Sequence, residues 1–293
     1  MIGTSLPPSM LMESPVTEAD KMLLDAYGGH MALLRALKDM GVDSVELRTV
    51  RPDTPRSTTA ACAADVLGCG LRLTIHATLT ETDGAGFFGP LMPALEQIPR
   101  EYGPVPLTVH SLRTGSEPLD QANTVRMLRL LSDYACERGL NVVFALENNR
   151  IHRSGLSIMD CHGVEATVRE ADRSNVGVCF DFGHLYSNFL AFPECTPFLP
   201  SEWFLKRAVH THIHGVANTT HYPPTEDNLP LGDYLRHLIA AGYRGVFNLE
   251  LECGRYWRDI DPREGHEMAV RTLRRHLAAL EGQKTETDRQ SME

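Results

Sequence analysis

Residues 139–149 read GLNVVFALENN, and this stretch decides the fold. It opens on a glycine, passes through a short run rich in β-branched and aromatic residues, and reaches a carboxylate where the run ends. Just upstream, Val125, Leu128, Leu131 and Tyr134 recur at helical spacing, so Gly139 stands where a helix is expected to stop. Helix, glycine and β-run together predict one unit of a parallel sheet with helical crossovers.

The same unit recurs on both sides. Met31, Leu33, Leu34 and Leu37 lead to Gly41 and the run Ser44–Leu47, while Gly242 precedes Val246–Leu251 and the helical spacing of Leu273, Leu277 and Leu280. With Ile2–Leu6, Leu71–His76, Pro106–His110, Asn141–Glu147, Val176–Asp181 and Ala208–His214, the β-runs number eight. Eight such units in 293 residues predict a single (β/α)8 TIM barrel, of class α/β, over residues 1–281. An open doubly wound sheet lacks support, because no GxGxxG or GxxxxGK[ST] follows any strand. Residues 282–293 are polar and are expected to form a disordered tail.

Composition narrows the class. An apolar content of 42% with 23% charged residues is ordinary for a soluble globular protein. The N-terminus carries no basic region followed by a long apolar stretch, and no run is long enough to cross a bilayer, so a cytoplasmic protein is expected. Seven scattered cysteines without a CxxC pair fit reduced thiols. A net charge of -10 argues against nucleic acid, whose binding draws on clustered Lys and Arg. The densest basic stretch, Arg271 to Arg275, falls on a helical pattern and reads as a solvated face.

Metal-capable side chains fall at the C-terminal ends of successive strands: Glu147, Asp181, His212 and Glu250. Each alone is weak evidence. Together they would set three carboxylates side by side, which costs several kcal/mol unless a cation or protons offset the repulsion. One divalent ion is the simplest offset, with Mn2+ expected first and Mg2+, Co2+ or Zn2+ also suited to this donor set. His184 follows Asp181 closely enough to face the same pocket. Glu46, His76 and His110 lie late in earlier strands, where each is either a substrate contact or a structural hydrogen bond. His210 and His214 share the parity of His212; His210 is expected deeper and structural, His214 nearer the mouth. Two Pro-rich segments, 191–204 and 217–230, are expected to lie over the C-terminal face of the barrel, where active sites are built.

The motifs GVDSVEL (41–47), ALEN (145–148), VGVCFDFGH (176–184), HTHIHG (210–215), PLGDYL (230–235) and GYRGVFNLELE (242–252) occur in an order and spacing that resembles the xylose isomerase-like barrel superfamily. That group includes ketose 3-epimerases, hydroxypyruvate isomerase, inosose dehydratase and endonuclease IV. The resemblance runs from Ile2 to about Leu280. It implies that Glu147, Asp181, His212 and Glu250 hold the metal, that Glu147 and Glu250 double as the acid/base pair, and that His184 touches the substrate.

The chain also departs from that pattern. Sugar epimerases usually carry Glu-x-x-Asn-Arg, whereas Glu147 is followed by Asn148, Asn149 and Arg150; Arg150 remains a candidate substrate contact. No arginine follows His212 in the loop where those epimerases place one. Endonuclease IV is the rival, since His76, His110, Glu147, Asp181, His184, His212 and Glu250 match seven of its ligands. Between Gly215 and Gly232, however, His221 and Asp227 form no Asp-x-His, so the third metal's set is incomplete.

The leading expectation is a metal-dependent isomerase or epimerase acting on a small sugar, sugar acid or keto-polyol through an enediolate. A dehydratase of an inosose-like or dehydroshikimate-like substrate, and a barrel that binds metal without catalysis, are the alternatives. The partner is then a sugar-like small molecule, with no nucleic acid and no membrane, and a homo-oligomer is expected only by analogy.

Overall fold

The computed structural model describes residues 1–113, 116–152 and 157–290, with side chains through residue 282. Its eight strands are β1 (Ile2–Leu6), β2 (Ser44–Val50), β3 (Arg72–Ala77), β4 (Val105–Val109), β5 (Val142–Glu147), β6 (Val176–Asp181), β7 (Ala208–Ile213) and β8 (Phe247–Leu249). All neighbouring pairs are parallel, and β8 pairs with β1, which closes the barrel in sequence order. The (β/α)8 architecture read from the sequence is the architecture observed.

Helices end where the glycines stand. Gly41, Gly139 and Gly242 follow the C-caps of the helices His30–Asp39, Glu117–Glu137 and Leu231–Ala240 with φ of 77°, 62° and 101°, backbone that a side chain would strain. The final helix runs from Pro262 to Gln290, so helical backbone enters the segment expected as a tail; residues 291–293 lie outside the described residues. Among the described residues, no helix is long and apolar enough to cross a membrane. All seven cysteines are free thiols.

Side chains alternate across each strand, and here the two faces differ in kind. Facing the surrounding helices are Leu47, Ile75, Leu107, Leu146, Phe180, Ile213 and Leu249, all buried. The opposite parity meets inside the barrel, where Ser5, Thr108, His210, His212 and Asn248 all reach the Glu46 carboxylate or one another. Barrel interiors are usually filled with bulky branched residues. This lumen is instead hydrogen-bonded polar groups, so the apolar core lies between sheet and helices. Aromatic side chains anchor that layer: Phe144 sits 6.1 Å from the rings of both Phe87 and Phe88.

One expected mouth loop belongs elsewhere. Segment 191–204 begins only after the helix Phe182–Ala191, and Phe198 packs on Phe189 and Tyr234, in the aromatic layer outside the strands. It therefore seals the core. Segment 217–230 does reach the mouth, through Thr220 and His221.

Two measurements test this architecture. Phe144→Ala is expected to lower the unfolding free energy by about 3–5 kcal/mol in urea titrations, because its ring has no route to water. His266, buried near the start of the last helix, has its pKa pushed down from 6.5 to about 4 by burial. Between those values the unfolded chain takes up a proton that the folded chain refuses, so stability falls as pH falls. His266→Gln is expected to lose less stability than the unsubstituted protein between pH 7 and pH 5.

Candidate metal centre

Glu147 and Asp181 end β5 and β6, His212 lies in β7, and Glu250 follows β8 by one residue. One ligand atom from each lies within 4.8 Å of the others, and all four residues are buried. His212 Nδ1 is the centre of this group, at 3.1 Å from Glu147 Oε2, 3.2 Å from Glu250 Oε2 and 4.0 Å from Asp181 Oδ2. Among the described residues, Glu147 Oε2, Asp181 Oδ2 and His212 Nδ1 are buried without a hydrogen-bond partner. Buried polar atoms are rarely left so, and three of them facing one point fit a divalent cation.

Local structure places each member. Asn148 fixes β5 to β6, its side chain donating to the Asp181 carbonyl and accepting from the Asp181 N–H, both at 2.8 Å. Asp181 Oδ1 caps the next helix by accepting from the His184 N–H at 2.6 Å, which leaves Oδ2 for the centre. At Gly183 a Cβ would lie 2.1 Å from the His214 ring, so only glycine lets β6 turn here against β7.

Beneath the centre lies Glu46, fully buried. Its carboxylate oxygens stand 3.0 and 3.1 Å from His212 Nε2 and 2.9 Å from His210 Nε2, with Ser5, Thr108 and Asn248 also donating to it. Against burial, the surrounding acidic groups raise the His212 pKa well above its usual range, so without an ion the ring is a cation; a bound ion would take the Nδ1 position while Nε2–H stays on Glu46, the arrangement that orients metal-binding imidazoles. Of the two sequence readings of Glu46, substrate contact or structural hydrogen bond, the structure supports the second and corrects the first, because Glu46 is fully buried and its carboxylate is taken up by these hydrogen bonds. Burial would raise the Glu46 pKa, yet His212 and His210 outweigh it and hold it low. The same contest, burial against the His212 charge, holds Glu250 well below the carboxylate range, and His110 with His212 does so for Glu147.

The other expected residues surround this quartet. His76 approaches Glu147 and Glu250 at 3.7 Å each, and His110 approaches Glu147 at 3.2 Å. His184 lies 3.7 Å from both Glu147 and Asp181; burial pushes its pKa down to about 3, so its ring is neutral. His214 follows β7, nearer the mouth than His210 as expected, but it is fully buried, 3.2 Å from Asp181 and stacked on His221, so it supports a candidate ligand and does not face open space for a substrate. His210 is deep, as expected. Arg150 is half-buried and lines the cavity over the centre, a space of about 310 Å³.

Sequence reasoning missed several members. His221 holds a left-handed φ of 68° and reaches to 3.5 Å from Glu250, a placement no ligand spacing announces. His184, His214 and His221 form a further histidine grouping that this loop alone completes. Arg48, Arg113 and Arg255 also line the cavity. Arg48 was within reach of the sequence, since it shares the parity of Glu46.

A family model described as xylose isomerase-like TIM barrel matches residues 34–276, and the chain belongs to that family. Among solved structures, L-ribulose 3-epimerase aligns with a TM-score of 0.65 at 14% identity, over 98% of this chain and 97% of that one. D-psicose 3-epimerase from Clostridium cellulolyticum H10, solved with D-tagatose, aligns with a TM-score of 0.60 at 14% identity, over 95% and 98% of the chains. The IolI protein with a zinc atom aligns with a TM-score of 0.54 at 14% identity, over 94% and 97%. A curated relative, the uncharacterized protein MJ1188 of Methanocaldococcus jannaschii, is 43% identical over 44 residues, which is 15% of this chain and 16% of that protein. At these identities the solved structures share the fold.

Glu46→Gln tests the support beneath the centre. Divalent-ion affinity, read by Mn2+ titration, is expected to fall about 10–100-fold with the fold unchanged by circular dichroism. Unchanged affinity would show that His212 is oriented by something else.

Proposed function

We propose that this chain is a divalent-metal-dependent isomerase or epimerase of a small sugar, sugar acid or keto-polyol. The observation that carries the reading is the pair Glu147 and Glu250, both held ionised, 3.1 and 3.2 Å from His212 Nδ1, one ending β5 and the other just after β8, with β6 and β7 between. Glu147, Asp181, His212 and Glu250 would hold the ion; Mn2+ is the first expectation, and Zn2+ gains support from the IolI relative. When bound, the ion supplies positive charge beside the oxygen that becomes negative as a proton leaves the adjacent carbon.

The chain's own residues then account for the proton transfer. One carboxylate takes the proton from the carbon next to the carbonyl, and the carboxylate on the other side returns one, to the same carbon or its neighbour. His110 and His184, at 3.2 and 3.7 Å from Glu147, are placed to hold substrate oxygens so that the carbon faces the base. The epimerases among the structural relatives support the substrate class.

The reading is tested by incubating the protein and Mn2+ with ketoses and inososes in deuterated water. Exchange of one C–H without loss of water is expected; a dehydrated product would make the protein a lyase instead. Glu250→Gln is expected to lower turnover about 100-fold or more while leaving the protein folded. Full activity in that variant would remove the acid/base assignment.

A further inference from the structure

The cavity over the centre carries more positive charge than a neutral sugar needs. Arg48 from β2, Arg113 after β4, Arg150 after β5 and Arg255 after β8 all line it, in a chain whose net charge is -10. Of the carboxylates lining the same space, Glu147 and Glu250 belong to the floor, which leaves Glu252 as the rim's acid.

Glu252 does not neutralise the set. It pairs with Arg255 at 2.7 Å and lies 3.5 Å from Arg48, whose guanidinium also donates to the Leu251 carbonyl at 3.2 Å. Arg113 and Arg150 have no acidic partner among the described residues. The space also continues past Arg113 into a cleft lined by Thr78, Thr80 and Glu81, and Glu81 is already paired with Arg126 at 3.3 Å. Arg113, exposed, and Arg150, half-buried, therefore present positive charge and free N–H donors to one cavity, a pairing suited to an anion. A hydroxyl-bearing end of a sugar supplies no such charge.

Deepening the isomerase reading and resting on it, we propose that the substrate carries an oxyanion, either a phosphate monoester or a carboxylate, at the end remote from the reacting carbons. Arg113 and Arg150 hold that group, with Arg48 and Arg255 completing a positive rim. The planar guanidinium matches either oxyanion with paired N–H donors, so the rim reads charge and position at once.

Calorimetric titration of the full chain tests this in two parts. Metal-free protein is titrated with inorganic phosphate, and saturable binding is expected that the double variant Arg113→Gln/Arg150→Gln weakens about tenfold or more. Absence of binding, or binding that the variant leaves unchanged, overturns the anion site whatever the metal does. Mn2+-loaded protein is then titrated with D-fructose, D-fructose 6-phosphate and D-fructuronate, which share one carbon skeleton. The ester or the acid is expected to bind at least tenfold tighter than the neutral sugar, and whichever does so identifies the anion; the double variant is expected to abolish that ratio while still binding Mn2+. Equal affinity for all three overturns the assignment to substrate. A protein that binds phosphate at the rim but takes up no Mn2+ would instead show that the metal-isomerase reading had failed.

Discussion

Everything at the centre of this barrel depends on one buried ion pair, His212 with Glu46. Removing a carboxylate from water is costly, and Glu46 tolerates it because both oxygens are hydrogen-bonded from five residues on four other strands. The consequence reaches upward. By engaging His212 Nε2 it turns Nδ1 towards Glu147, Asp181 and Glu250, and so fixes the point at which their oxygens meet. The like charges at that point are the constraint the proposed ion relieves.

A polar lumen makes that arrangement affordable. Because the strands' other face packs Leu, Ile, Val and Phe beneath the helices, the barrel keeps a continuous apolar core without filling its own interior. Stability is drawn from the outer layer, and the inner one is released for chemistry. The division is sharp along a single strand: Phe144 and Leu146 of β5 pack outside, while Glu147 turns in. The rim then adds a second layer of function, since its arginines rise from loops and strand ends that the packed core holds in place.

Much of this was legible in the sequence for a physical reason. Period-2 alternation and glycine stops are local properties, so all eight strands stand within a residue or three of where hydropathy and helix ends placed them. Residues 147, 181, 212 and 250 were legible as a group because a closed parallel barrel brings every strand's C-terminal end to one rim. Glu46 sits lower because β2 runs on to Val50, three residues past the expected Leu47, so a residue read as late is the third of seven. His214 is closed off from the cavity because the turn at Gly183 packs against its ring.

The sequence alone determined the fold class, the approximate positions of the eight strands and the four residues of the candidate centre, because each follows from spacing along the chain. Tertiary structure decided the depth of Glu46, the burial of His214, the reach of His221 and the gathering of four arginines at one mouth. Those depend on strand length and loop path, which bring together residues as far apart as Arg48 and Arg255, and no local pattern records such distances.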